Sequence, residues 1–134
     1  MANALYAKGK EKILSAAINF TSDTIKAALM SSAYTANLST DEYWNTISAN
    51  ELNSSQTLGS KSVTGGVFDA ADITFTAVTS GSTAKAIVIR KDTGTPSTSP
   101  LLVYIDTITG FPLATNGGDI TITWDNGSYK IFSL

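Results

Sequence analysis

The sequence predicts a mainly β protein: an antiparallel β-sandwich or barrel-like domain with one short N-terminal helix and a long polar loop. Two observations favour this class. Apolar and polar residues alternate along several short segments, a period typical of half-buried strands. These segments are separated by stretches rich in glycine, proline, serine and asparagine, which form turns. The chain has 134 residues, the length of one domain, and we expect residues 1–134 to fold as a single unit.

The start of the chain predicts a helix followed by a strand. Residues 4–18 contain good helix formers with loosely spaced apolar side chains, although Gly9 weakens the pattern. Residues 24–30 then alternate, with Ile25, Ala27 and Leu29 on one side. This alternation indicates a half-buried strand.

Residues 31–62 show no clear periodicity, and we expect them to form a long loop. Tyr34, Tyr43 and Trp44 lie in this stretch. Large aromatic side chains are enriched at the energetic centres of protein interfaces, so the three are candidate contact residues. The alternative is that they fold back and close one end of the core.

Residues 63–134 are expected to supply the core strands. Residues 84–90 and 101–105 are almost continuously apolar, which predicts strands in the middle of a sheet. The chain closes with two alternating segments joined at Asp125-Asn126-Gly127, which predicts a hairpin. An apolar terminal strand left unpaired would promote edge-to-edge association, so we expect Phe132 and Leu134 to be buried in the core or in an interface.

The composition argues against several classes of function. The chain has no cysteine and no histidine, which excludes thiolate sites and any catalytic triad that needs histidine. Its net charge is −2, so we expect no nucleic-acid partner. No segment has the length and character of a signal peptide or a membrane span, and we expect a protein made in a cytoplasm. Only 15% of residues are charged, which suits a surface largely covered by other subunits.

Asp69 and Asp72 are the one carboxylate pair that suggests acid–base chemistry. Three residues apart on an extended chain, they would point to opposite faces, which argues against a shared site. The alternative is a turn before the next strand, in which aspartate binds nearby backbone amides. We therefore predict no catalytic residue, no cofactor and no metal site.

The basic residues form two local concentrations. Lys8, Lys10 and Lys12 lie in the predicted helix, and Lys85, Arg90 and Lys91 lie in and after the central apolar run. A solvated surface explains them, and complementarity to an acidic protein partner is the alternative.

Three segments carry a resemblance to a known group of proteins: NALYAKGKEKILSAAINFTSDTIKAAL, VTGGVFDAADITFTAV and NGGDITITWDNGSYKIFSL. They are distributed along the chain from residue 3 to residue 134, and with them the chain resembles small virion structural proteins of tailed bacteriophages. The resemblance implies a non-enzymatic part of a phage particle, and no functional residue is carried over from it.

The expected function is therefore that of a capsid decoration or cement protein on the head surface. Its partners would be the major capsid protein or other virion subunits and copies of itself, in a symmetric oligomer such as a trimer. The alternatives are a neck, tail or head-fibre component, or a host-glycan recognition module that uses Tyr34, Tyr43 and Trp44. A small hydrolase built on Asp69 and Asp72 is the least favoured interpretation.

Overall fold

The computed structural model describes residues 4–124, 127 and 130–133, and this part of the chain is mainly antiparallel β structure. The predicted fold class is confirmed, with sheets arranged as in a β-sandwich. The helix α1 spans Ala7–Leu14. The strands are β1 Ala4–Leu5, β2 Ile25–Ser31, β3 Glu51–Thr57, β4 Ser62–Thr64, β5 Val67–Asp69, β6 Ile73–Phe75, β7 Thr83–Lys91, β8 Leu101–Ile105, β9 Leu113–Ala114, β10 Ile120–Ile122 and β11 Phe132–Ser133.

The largest sheet has six strands, five of them in the order β1-β8-β7-β2-β3, with β9 paired to one end of β7. The two strands predicted to lie in mid-sheet do so, since β7 pairs with both β2 and β8, and β8 pairs with both β7 and β1. All of these pairings are antiparallel.

The central strands are apolar almost throughout because both faces of this sheet are covered. Along β7, Ile87 and Ile89 belong to one buried cluster, whereas Ala86 and Val88 belong to another. Alternate residues of a strand point to opposite faces, so the two clusters lie on opposite sides of the sheet. A continuous apolar run is the pattern expected of a strand buried on both faces.

Two smaller sheets cover the first face. One pairs β6 with β10, and the other has the order β11-β5-β4. Phe68, Phe75 and Ile122 from these sheets pack with Ile87 and Ile89 in the larger of the two buried clusters.

The second face is covered by the stretch predicted to be a long loop, and that prediction is wrong in part. Residues 51–57 form β3, which pairs with β2 at the edge of the large sheet, and 3-10 turns occupy Trp44–Thr46 and Ser48–Asn50. The strand escaped prediction because it lies at an edge and most of its side chains are polar, so it has no apolar alternation.

The N-terminal helix is shorter than predicted. Residues 4–18 were expected to be helical, but Ala4 and Leu5 pair with β8 and the helix ends at Leu14. Gly9 is buried where the helix crosses β8, and a Cβ placed on it would lie 2.5 Å from the main-chain oxygen of Leu101. The glycine therefore allows the helix to approach the sheet this closely.

The predicted C-terminal hairpin is wrong in its pairing. β10 pairs with β6 and β11 pairs with β5, so the two strands belong to different sheets. Asp125 and Asn126, at the predicted turn, lie outside the described residues. A hairpin that the sequence analysis missed joins β4 to β5 through Gly65 and Gly66, whose φ angles of 62° and 79° fit a type I′ turn.

Candidate functional site

Tyr34, a predicted contact residue, lies in the interior and is only 4% exposed. Its hydroxyl is 2.7 Å from that of Tyr6 and donates to a carboxylate oxygen of Asp41 at 2.8 Å. The same oxygen accepts the backbone N–H of Asn37 at 2.9 Å. Burial raises the pKa of both Tyr6 and Tyr34, so both hydroxyls stay protonated and act as hydrogen-bonding groups.

Trp44 is also buried, with 6% of its surface exposed, and it stacks on a buried arginine. The guanidinium carbon of Arg90 lies 4.0 Å from the centre of the Trp44 ring, within the range of a cation–π contact. Arg90 Nη1 donates to Ser55 Oγ at 3.0 Å, and Ser55 donates to the Glu51 carboxylate. This chain of contacts joins the central strand β7, the edge strand β3 and the 3-10 turn that carries Trp44.

Burying the charges of Arg90 and Glu51 is unfavourable in electrostatic terms. Burial lowers the pKa of Arg90 and raises that of Glu51, although each charge favours the ionised form of the other. Arg90 Nε is buried without a hydrogen-bond partner in the described part of the protein. In the sequence, Arg90 stands out only as part of a basic concentration; the signal for its burial is its position at the end of an apolar run.

Tyr43 is the predicted aromatic residue that stays half-exposed. Its hydroxyl accepts a hydrogen bond from Lys12 Nζ at 3.3 Å, and the same amine lies 3.5 Å from the carboxylate of Glu42. The hydrogen bond to Tyr43 is the main cause of the raised pKa of Lys12. Tyr43 thus fastens the helix to the segment that covers the second face.

For the aromatic residues of 31–62, the sequence left two alternatives: surface contact or folding back onto the core. Tyr34 and Trp44 fold back onto the sheet and close the core, where both are buried. In the chain on its own, the position of both side chains agrees with the alternative that they fold back. They do not gather with Tyr43 into a shared binding surface.

Phe132 is half-buried and packs in its own sheet. It lies opposite Phe68 in the register of β11 and β5, and its ring centre is 5.3 Å from that of Phe20. Phe132 is therefore only partly buried within the domain itself, which is less than the burial expected of it. Leu134, the other residue of that prediction, lies outside the described residues.

Asp69 and Asp72 each have a structural partner. Asp69 lies 3.9 Å from Lys130 Nζ, and Asp72 accepts the backbone N–H of Trp124 at 2.9 Å. Asp72 thus binds a backbone amide, but this amide lies 52 positions away and not in the local turn that was predicted.

A cleft of about 430 Å³ lies between the end of β8 and β10. Its described walls are threonine and isoleucine with Trp124 at one side, and Lys130 is the charged residue among them. One of the threonine hydroxyls, that of Thr121, lies 3.1 Å from that of Thr74. The described lining therefore holds no pair of acidic and basic groups arranged for proton transfer.

Within the described residues, no group of three or more acidic side chains is placed to hold a metal ion. In the same part of the chain, none of the helices is long and apolar enough to cross a membrane.

Comparison with known proteins found no family model that matches the chain and no match among curated proteins.

Proposed function

We propose that the chain is a non-enzymatic structural subunit of a tailed-bacteriophage virion, and more specifically a decoration or cement protein that binds the assembled head shell. It is made in the cytoplasm of the host bacterium and works as a symmetric oligomer on the head surface. Its partners are the major capsid protein or another virion subunit.

The observation that carries the proposal is how the charged side chains are used. Ion pairs join segments that are distant in the sequence: Lys12 with Glu42, Lys26 with Asp92, Lys91 with Asp23 and Lys130 with Asp69. The buried Arg90 likewise joins β7 to β3. Charges placed in this way connect distant segments of the fold, which suits a passive building block.

Two features of the sequence support the proposal. Three segments distributed along the chain resemble small phage virion proteins. Its low content of charged residues, 15%, suits a surface that neighbouring subunits cover.

The glycan-recognition alternative receives less support. That hypothesis required Tyr34, Tyr43 and Trp44 to offer ring faces to sugars, and two of the three are buried. A position in the neck, tail or head fibre differs from the head proposal only in the partner, and the experiment below separates the two.

The test is binding to particles that lack the chain. Heads and tails are purified separately from a phage deleted for this gene, mixed with the recombinant protein and sedimented. We expect saturable binding to heads at a constant ratio to the major capsid protein, and a higher temperature of DNA release from the decorated heads. Binding to tails alone would move the protein to the tail or neck, and binding to neither would contradict the proposal.

A further inference from the structure

The segment Asn116-Gly117-Gly118 is an exposed turn between β9 and β10. Asparagine followed by glycine loses its side-chain amide readily, because glycine has no side chain to hinder attack by its own backbone nitrogen. The φ angle of Gly117 is 87°, and apart from its chain neighbours no atom lies within 4 Å of the position that a Cβ would occupy. The two residues that would react therefore lie at an open surface.

The reaction has two steps. The backbone nitrogen of Gly117 gives up its proton and forms a bond to Cγ of Asn116, the bond from Cγ to Nδ2 breaks, and the amide group leaves as ammonia with the proton. The product is a five-membered succinimide ring. A water molecule from solvent then adds to one of the two imide carbonyls and opens the ring, which gives aspartate or isoaspartate.

One hydrogen bond in the turn favours this reaction. Oδ1 of Asn116 accepts the backbone N–H of Gly118 at 2.9 Å. Attack on Cγ places negative charge on this oxygen, and a donor that is already aimed at it stabilises the charge in the manner of an oxyanion hole. The turn therefore holds a donor at the atom where the charge develops.

A second hydrogen bond opposes the reaction. The N–H of Gly117 donates to the carbonyl of Val78 at 2.9 Å, and the N–H of Val78 donates to the carbonyl of Gly118 at 3.0 Å. The Gly117 nitrogen must lose its proton to attack, so its N–H has to leave the Val78 carbonyl first. Val78 is 1% exposed and belongs to the larger buried cluster, which holds this carbonyl in place. The reaction therefore requires local opening of the contact between the turn and Val78.

Asp119 supports the same contact from the next position in the chain. Its Oδ1 accepts the N–H of Ala77 at 2.8 Å. Ala77 directly precedes Val78 and has a φ angle of 50°, a conformation that is unfavourable for alanine and needs support from its surroundings. Asp119 thus keeps Ala77 and Val78 against the turn, and without it the contact should open more often.

We propose that Asn116 is a site of spontaneous deamidation in the folded protein, and that the hydrogen bond from Gly117 to Val78 controls the rate. The aspartate product keeps an oxygen for the Gly118 N–H and makes the net charge of −2 more negative. The isoaspartate product lengthens the main chain by one carbon, which disrupts the pairing with Val78. The proposal goes beyond the proposed function, because it concerns the chemistry of the chain itself and not its partner.

The test incubates the full-length protein at pH 8, either folded or in a concentration of urea that unfolds it, and follows each asparagine by peptide mapping with mass spectrometry. Mapping separates Asn116 from the other Asn-Gly pair, Asn126-Gly127, of which Asn126 lies outside the described residues. We expect conversion of Asn116 to aspartate and isoaspartate in both samples, at least tenfold more slowly in the folded protein.

Two variants and one control make the test specific. Asp119→Ala should speed conversion of Asn116 in the folded protein at least threefold and leave the rate in urea within twofold. Asn116→Gln should abolish conversion at this position on the same timescale, because ring closure would have to form a six-membered imide. Asp72→Ala removes a carboxylate that binds a distant backbone N–H, that of Trp124, and should leave the rate at Asn116 within twofold. Thermal unfolding of each variant checks that it is folded.

Amide hydrogen exchange of the wild type measures the opening without any variant. Exchange of the Gly117 N–H should be slowed by about the same factor as the deamidation, because both need the same opening.

Several outcomes would overturn the proposal. Equal rates at Asn116 in the folded and unfolded chain, an unchanged rate in a folded Asp119→Ala variant, or a Gly117 N–H that exchanges as fast as in an unfolded chain would remove the role of the Val78 contact. No conversion of Asn116 in the folded protein by the time the unfolded chain has reacted completely would remove the site. None of these outcomes depends on whether the protein is found on virions, so the two proposals can fail separately.

Discussion

At the scale of single residues, Tyr34 is the central member of a buried hydrogen-bond chain. Its hydroxyl serves both Tyr6 and Asp41, whereas the Tyr6 hydroxyl has Tyr34 as its hydrogen-bond partner. These hydrogen bonds connect the start of the protein to the segment that covers the second face of the large sheet. Removing different members should therefore have different costs.

We expect Tyr34→Phe to destabilise the protein more than Tyr6→Phe. Tyr6→Phe leaves the bond between Tyr34 and Asp41 in place and should cost about 1 kcal/mol. Tyr34→Phe leaves the buried Tyr6 hydroxyl unpaired and should cost about 2–3 kcal/mol. Urea unfolding measures both, with the half-exposed Tyr43→Phe as control. A larger loss for Tyr6→Phe than for Tyr34→Phe would contradict this hydrogen-bond arrangement.

Gly9 provides a second prediction, because helix propensity and packing act in opposite directions there. Alanine is favoured over glycine inside a helix by about 1 kcal/mol. Its Cβ, however, would lie 2.5 Å from the main-chain oxygen of Leu101, so the helix must move away from β8. We expect Gly9→Ala to lower the free energy of unfolding by about 1–3 kcal/mol.

Lys10→Ala, at the next and exposed position of the helix, is the control for Gly9→Ala and should change stability by less than about 0.5 kcal/mol. Stabilisation by Gly9→Ala would show that the close contact between the helix and β8 is absent.

At the scale of elements, two ion pairs fasten the same end of the strand pair β2 and β7. Lys26 lies 2.8 Å from Asp92, and Lys91 lies 3.2 Å from Asp23. The hydrogen bond from Lys26 is the main cause of the lowered pKa of Asp92. The backbone N–H of Asn19, followed by Lys91, lowers the pKa of Asp23.

A lowered pKa in the folded state means that these carboxylates stabilise the fold when ionised. Their contribution is present above the pKa of the unfolded chain, about 3.9 for aspartate, and is lost as the pH falls through the folded value. We expect Asp92→Asn to reduce stability at neutral pH and to make the decline below pH 4 shallower. Unfolding free energies measured from pH 7 to pH 2 test this.

The comparison must be made between variants, because Glu51 acts in the opposite sense. Burial raises its pKa, so its protonation favours the folded state as the pH falls. Glu11→Gln, at an exposed helix position, is the control for replacing a carboxylate with an amide. Identical acid profiles for the wild type and Asp92→Asn would contradict a stabilising role for the ion pair.

The short terminal strand β11 should contribute measurably to stability. Phe132 contacts Phe20 and Phe68 but is only half-buried, so Phe132→Ala should cost about 2 kcal/mol, less than the 3–5 kcal/mol typical of a fully buried phenylalanine. Leu14→Ala, at a side chain that is 86% exposed, is the control and should have little effect on thermal unfolding. Unchanged stability of Phe132→Ala would show that β11 is not docked on β5.

The strands that could be predicted are those whose burial leaves a run or an alternation of apolar residues in the sequence. Residues 84–90 and 101–105 are apolar on both faces and were placed correctly in mid-sheet. β3 and β4 were missed because exposed edge strands have no apolar alternation. The partners of β10 and β11, which are β6 and β5, were not predicted. The turn residues between the two strands favour a hairpin but cannot exclude longer-range partners.

Predicting the position of the aromatic residues in 31–62 required the same knowledge of long-range contacts. A sheet that is apolar on both faces needs a cover on each, and this was the available signal that Tyr34 and Trp44 would fold back. The alternative of surface contact could not be removed without knowing which segment supplies that cover. Arg90 was unpredictable as a partner of Trp44 because the two meet only through the fold.

At the scale of the whole molecule, charged and aromatic side chains join segments that are distant in the sequence. Such connections suit a subunit that attaches to a larger assembly. The central claim is that this assembly is a phage virion.

The most direct test of that claim is immunogold labelling of intact virions from the lysate in which the chain is produced, viewed by electron microscopy. We predict gold distributed over the heads, and none over heads from a phage deleted for the gene. Label confined to the tail or fibres would contradict the decoration role, and particles without label would contradict the claim that the chain is a virion protein.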